Sequence, residues 1–246
     1  MKNPFIVATA ATLMLPALTN AAEIKVLSTQ ATEGAYRELT PQFEKTTGHK
    51  VTTIFTGTLD AQKRLAAGES YDMIIMAGPA IEAQTKAGKV VAGSRVDIAK
   101  SGVAAGVPKG EAKPDISTTE ALKKTILAAK SIGYSTGPSG VYMVSLFEKL
   151  GVTDQVKDKL KQTPTGVFVG TIIANREIGF QQVSELGDFP GVDYIGPLPA
   201  DVQQTTVFSS GIIVGAAETE AAKALVKFLT TPEAGAAFKK RGMEAG

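Results

Sequence analysis

Short apolar runs alternate with amphipathic ones along this chain. Residues 23–27 read as a strand, with the polar Ser28-Thr29-Gln30-Ala31-Thr32 as its turn. Tyr36, Leu39 and Phe43 then recur at helical spacing within residues 34–46, and Gly48 ends that helix. Residues 51–55 predict a second strand with Thr56-Gly57-Thr58 as its polar exit. A helix follows over 59–67, stopped by Gly68. Residues 71–76 form a third, nearly continuous apolar strand, and 81–86 a helix closed by Gly88. This is the rhythm of a mainly parallel sheet covered by helices.

The middle of the chain restarts the pattern. Strands are expected at 101–107, 131–134, 178–181 and 192–195, with an apolar element crossing 208–214. Helices are expected at 118–129, 141–150, within 166–175, at 218–229 and from Pro232 to about 240. The fold class is α/β, with mixed sheets flanked by helices. Two lobes suit this succession, with crossing strands near 100–107 and 205–213. Residues 22–102 and 207–246 would build a discontinuous first lobe, and 103–206 the second. A ligand would lie in the cleft between strand ends, where helix N-termini point.

Composition narrows the chemistry. Met1-Lys2-Asn3 is a basic start, residues 4–18 are almost wholly apolar or small, and Thr19-Asn20-Ala21 offers small residues for cleavage. Residues 1–21 therefore read as a secretory signal peptide and the periplasm as the destination; the apolar run is too short to span a membrane. The chain has no cysteine, so it has no disulfide, thiolate nucleophile, sulfur-ligated metal or acylated lipoprotein anchor. A single histidine excludes a His-rich zinc centre. No nucleotide signature or ordered metal ligands appear, so no cofactor is expected. The formal charge of +2, with both signs mixed along the chain, gives no polybasic surface for nucleic acid. Aromatic residues make up 6%, too few for a stacking platform. A monomer is expected.

Three polar turns between a strand and a helix carry the candidate chemistry. They are Ser28-Thr29, Thr56-Gly57-Thr58 and Ser135-Thr136-Gly137-Pro138-Ser139-Gly140. Hydroxyls and the unpaired first amides of a helix bind anions without full positive charge. Glycines let the backbone approach closely. Such turns can surround a tetrahedral oxyanion or clamp a carboxylate, and they can equally be ordinary helix caps. Gln181 and Gln182 interrupt an apolar run, and one of the two should face the cleft. Tyr142 can add a phenolic hydrogen bond. Arg64, Arg95 and Arg176 can neutralise a carboxylate or lie in solvent, while His49 reads as a surface turn residue.

Several stretches resemble the periplasmic solute-binding proteins of ATP-driven importers, especially the molybdate-binding-like branch. They are Ile24-Lys25-Val26-Leu27-Ser28, Ala66-Ala67-Gly68-Glu69-Ser70-Tyr71-Asp72-Met73, Ala174-Asn175-Arg176-Glu177-Ile178-Gly179-Phe180, and Phe228-Leu229-Thr230-Thr231-Pro232-Glu233-Ala234 with Phe238 and Gly242. The resemblance implies the type 2 periplasmic binding protein fold, which closes over a small anion and docks on the membrane permease of an importer. It implies ligand contacts at Ser28, at Thr56 or Thr58, and at Ser139, Gly140 and Val141, beside which the turns themselves offer Thr29 and Gly57. A tyrosine donor typical of molybdate binding falls near Gln182, and the Ser28-Thr29-Gln30 turn departs from the usual small-residue turn. A molybdate-like oxyanion and an organic carboxylate therefore both remain open. Delivery to an importer leads this reading.

Some exported proteins similar to this branch are aconitate isomerases, which makes an enzyme the alternative. That reaction removes and returns a proton on a tricarboxylate, and it needs a base together with donors for the developing enediolate. Tyr142 or an unassigned glutamate would serve, with Ser28, Thr58, Ser139 and Gln182 holding carboxylates.

Overall fold

The computed structural model describes residues 21–173, 178–187 and 189–246. All but the last residue of the expected signal peptide, together with Arg176 and its neighbours at 174–177, lie outside the described residues.

In chain order the elements are β1 (Glu23–Thr29), α1 (Glu33–Thr47), β2 (Lys50–Thr56), α2 (Thr58–Ala66), β3 (Met73–Ala77), α3 (Gly78–Lys86) and β4 (Val96–Pro108). Next come α4 (Thr119–Ala128), β5 (Ile132–Tyr134), α5 (Pro138–Lys149), α6 (Thr153–Val156), β6 (Leu160–Gln162) and α7 (Gly170–Ile173). The chain ends through β7 (Ile178–Gln182), α8 (Val183–Leu186), β8 (Val192–Pro197), β9 (Thr205–Ile212), α9 (Thr219–Leu229), α10 (Pro232–Lys240) and β10 (Glu244–Ala245).

The strands follow the order β2-β1-β3-β9-β4-β7-β5-β6, with β8 and β10 added to β4. β1 is parallel to both β2 and β3, and β5 is parallel to both β6 and β7. Between these two parallel triplets run β9 and β4, antiparallel to each other and to the triplets they meet. The sheet is thus mixed, and the architecture is two-lobed. Each triplet sends its polar turns out at the carboxyl ends of its strands, toward the space between lobes.

β3 shows why the sheet is covered on both sides. All five residues of Met73–Ala77 are buried. Met73 and Ile75 pack with Tyr36, Leu39, Phe43 and Phe238, while Ile74 and Met76 pack with Leu65, Ile81 and Val90. Alternate side chains of a strand point to opposite faces, so each face needs its own helices. In β4, Ile98 and Ala99 join the first of these cores. Farther along, Val103, Ala105 and Val107 belong to a different core, with Leu122, Ile132, Met143, Phe147 and Phe180, while Ala104 packs on the other face with Val169, Ile173 and Leu186.

Some elements differ from the expected ones. β4 runs from residue 96 rather than 101, because Val96–Gly102 pairs with β9 before the strand turns to β7 and β8. α5 starts at Pro138, whose fixed φ suits the first helical position. The helix expected within 166–175 is, among the described residues, the four-residue α7, and residues 164–167 form a turn closed by Val167 N–H donating to the Pro164 carbonyl. α6, β6, α8 and β10 are additional.

Candidate functional site

The turns after β1, β2 and β5 converge with the end of β7 on a cavity of about 20 Å³. Its walls include Thr29, Gln30, Gly57, Thr58, Ser139, Gly166, Gln182 and Glu185. A wider groove of about 640 Å³ opens beside it, along Thr58, Leu59, Arg95, Val141, Tyr142 and Thr206. A third groove of similar size, between Pro108, Asp115, Thr125 and Ile178, contains none of the three turns.

The expected residues divide by where their polar atoms go. Ser28 is fully buried, and its hydroxyl lies 3.0 Å from that of Thr32. Thr32 in turn donates to the Thr29 carbonyl, so Ser28 braces the turn while Thr29 reaches the cavity wall. Thr56 donates to Asp60 at 2.8 Å, which commits its proton away from the cavity. The Thr58 hydroxyl is buried on the wall and has no hydrogen-bond partner. Of the two threonines, Thr58 is therefore the one equipped to donate to a ligand.

The third turn uses both hydroxyls and helix amides. Gly137 N–H donates to Ser135 Oγ, which lies 3.2 Å from Ser139 Oγ. With Ser135 donating to Ser139, the Ser139 proton is left for the cavity. Val141 N–H is taken by the Gly137 carbonyl and Pro138 has no N–H, so Ser139 and Gly140 carry the free amides of the α5 start. Gly140 itself is pressed against the Ser135 backbone: a Cβ there would lie 1.7 Å from the Ser135 carbonyl oxygen. Val141 is 62% exposed and belongs to the wider groove. Tyr142 is also in that groove, and its hydroxyl donates to the Val202 carbonyl. Burial, with the Asp201 charge as the lesser cause, raises the Tyr142 pKa. The structure thus keeps Val141 and Tyr142 out of the small cavity.

Both glutamines reach the wall. Gln181 Oε1 accepts from Val169 N–H at 2.7 Å. The Gln182 amide is turned to the crossing strands, accepting from Thr206 Oγ1 at 3.1 Å and donating to the Ser101 and Gly102 carbonyls at 3.0 and 3.1 Å. Arg64 is paired with Asp60 and Glu69, and Arg95 with Glu82 and Asp97, so neither guanidinium is free for a ligand. His49 Nδ1 accepts from Ala22 N–H at the far end of β1.

Glu185 was not singled out by the sequence. It stands third in α8, and its carboxyl receives the backbone N–H of Gln182 and the side-chain amide of Gln181. The first of these is half of a capping box, with a glutamate at the third helical position reaching back to the residue before the helix. The usual sequence signal for that box needs Ser or Thr at the cap, and here the cap is Gln182. Desolvation is the largest influence on Glu185 and pushes its pKa up to about 8; the two hydrogen bonds oppose it, and the Glu33 charge adds to it.

The description "Bacterial extracellular solute-binding protein" fits residues 24–244 of this chain. An aconitate isomerase from Pseudomonas sp is 34% identical over 229 residues, covering 90% of this chain and 87% of the relative. The molybdate-binding protein ModA of Azotobacter vinelandii is 29% identical, covering 93% of this chain and 92% of that protein. In fold, the chain is similar to the solved Azotobacter vinelandii periplasmic molybdate-binding protein, with a TM-score of 0.78 at 21% identity over 91% of this chain and 99% of that one. The family match spans nearly all the described residues, and the chain belongs to the bacterial extracellular solute-binding proteins, on their molybdate-binding-like side.

Proposed function

We propose that this protein is an exported isomerase of a small polycarboxylate, with aconitate as the first substrate to test. The observation that carries the reading is Glu185, a carboxyl on the wall of a cavity otherwise furnished with neutral donors. A carboxylate there opposes the binding of an anion, and proton transfer gives it a purpose. A group whose pKa lies near the working pH can both take and return a proton. The aconitate isomerase relative supports the same chemistry.

The residues divide the work as follows. The hydroxyls of Thr58 and Ser139 and the free amides of Ser139 and Gly140 hold substrate carboxylates. Glu185, as carboxylate, takes a proton from the substrate methylene. The electron pair of that C–H bond spreads over the three-carbon allyl unit and the adjoining carboxylate, whose growing charge the donors stabilise. Glu185 returns the proton to the other end of the allyl unit, so the double bond moves and no atom is gained or lost. A cavity of about 20 Å³ accepts about one water, so the lobes must part to admit a tricarboxylate. The lobe limits we propose are 22–102 with 207–246, and 103–206. Export to the periplasm rests on residues 1–21 and the family description.

The test is chromatography of the purified protein incubated separately with cis- and trans-aconitate. Interconversion supports the proposal, and no product from either isomer ends it. Delivery of an oxyanion to an importer permease is the second reading, favoured by the neutral hydroxyl and amide donors. Tight molybdate or tungstate binding without turnover would select it.

A further inference from the structure

The unusual Gln30 belongs to no step described so far. It lies in the single turn of 3-10 helix that follows β1, and it lines the small cavity. Its Nε2 donates to the Gly166 carbonyl at 2.8 Å, from the first lobe to the second. Gly166 has a φ of +81° and is a corner of the 164–167 turn. That turn presses on the exit of β2. A Cβ at Gly57 would touch Gly166 N and Thr165 Cγ2 at 3.7 Å, and one at Gly166 would lie 3.5 Å from Thr56 Oγ1. Gly166 and Val167 are also cavity walls. The 164–167 turn is therefore a cavity wall that rests on the first lobe by van der Waals contact and is tied to it by the Gln30 amide.

A primary amide nitrogen carries two hydrogens. Gly166 uses one of them, and the residue that carries the other lines the cavity. We propose that Gln30 is a positioning residue that couples anion capture to closure, giving one N–H to the Gly166 carbonyl and the other to a ligand oxygen. An anion on the second N–H and the Gly166 carbonyl on the first hold the same side chain in one rotamer, so whichever binds first has already met the ordering cost of the other, and ligand and closed turn stabilise each other. The inference rests on the cavity being an anion site and is independent of turnover. A simple capping or packing role for Gln30 would leave the second lobe indifferent to its amide.

The decisive experiment has an arm that needs no ligand. Amide hydrogen exchange followed by mass spectrometry compares the wild type with Gln30→Ala and Gln30→Glu. Glutamate keeps the length of the side chain and removes its donor. Both variants are expected to speed exchange in peptides covering residues 163–169 by about fivefold or more, with peptides from α1, β3 and α9 unchanged as the check on folding. Unchanged exchange at 163–169 in both variants overturns the proposal, as does a general increase in Gln30→Ala that Gln30→Glu does not share. The second arm measures dissociation of molybdate and of trans-aconitate. For whichever probe the wild type binds, Gln30→Ala should release it about tenfold faster, and Gln30→Glu faster still. An unaltered release rate also overturns the proposal. If the wild type binds neither probe, the anion-site reading fails, and the exchange arm still decides the link between Gln30 and the turn.

Discussion

At the scale of single residues, the site is a question of which polar atoms are already spoken for. Thr56 and Thr58 flank the same glycine, and sequence alone left both open. Asp60, one helical turn on, takes the Thr56 proton and leaves Thr58 as the donor. Thr58→Val should therefore weaken binding of whichever anion the wild type takes by about tenfold or more, the scale of one hydrogen bond to a charged group. Folding stability should stay level or rise slightly, since no hydrogen bond within the protein is lost; calorimetric titration and urea unfolding measure the two effects. Glu185 gives a second prediction. Its pKa rises from an ordinary 4.5 to about 8 in the folded protein. Between these values the folded protein keeps a proton that the unfolded chain releases. The stabilising contribution is thus full below about pH 4.5 and is lost as the pH rises to about 8, at a slope of up to about 1.4 kcal/mol per pH unit. Glu185→Gln should flatten that part of the stability profile relative to wild type, and urea unfolding across the range reads it. Equal slopes would mean that Glu185 is well solvated. Glu185 was not legible in the sequence because its importance comes from a half-buried place beside the end of β7, and a strand-terminal Gln-Val-Ser-Glu carries no standard signal of that.

At the scale of elements, most of the sheet and helices could be read from the chain because period and punctuation agreed. Tyr36, Leu39 and Phe43 share the buried side of α1, and Gly48 closes it in the left-handed conformation. Short elements were lost for the opposite reason. β6 is Leu160-Lys161-Gln162, with one apolar residue and two exposed polar ones, and only its pairing with β5 makes it a strand. The start of α5 shows how an element makes a site. The tight fit of Gly140 on the Ser135 carbonyl fixes where the Ser139 hydroxyl and the free amides point. Gly140→Ala would force the helix start away from that carbonyl, with an expected stability loss of about 1–3 kcal/mol. Ligand affinity should fall further than stability explains, because three donors move together. Thermal unfolding and titration on the same preparation would show it, and a variant that loses stability while keeping full affinity would remove the α5 start from the site.

At the scale of the whole molecule, the proposed boundary between the lobes falls where β4 changes partners. Gly102 still faces Thr205 of β9, and the next residue, Val103, faces Gln182 of β7. The sequence pointed to strands crossing here, but not to what holds them. Gln203 does so with its side chain: its Oε1 accepts from Val103 N–H at 2.8 Å, and its Nε2 donates to the Val103 carbonyl at 2.9 Å. The amide thus imitates a neighbouring strand at the position where the ladder switches. The Val103 carbonyl has a second partner in Leu198 N–H, at 3.0 Å. Its N–H depends on Gln203, and Gln203→Ala would leave it unpaired beside a fully buried side chain. A stranded buried donor costs about 1–3 kcal/mol. Gln203→Glu keeps the acceptor for Val103 N–H and loses the donor, so it should cost less than Gln203→Ala. Urea unfolding would rank the three proteins, and exchange of the Val103 amide would locate the change. If Gln203→Ala exchanges that amide at the wild-type rate, the crossing is held by strand pairing and packing alone, and Gln203 is not part of the joint between the lobes.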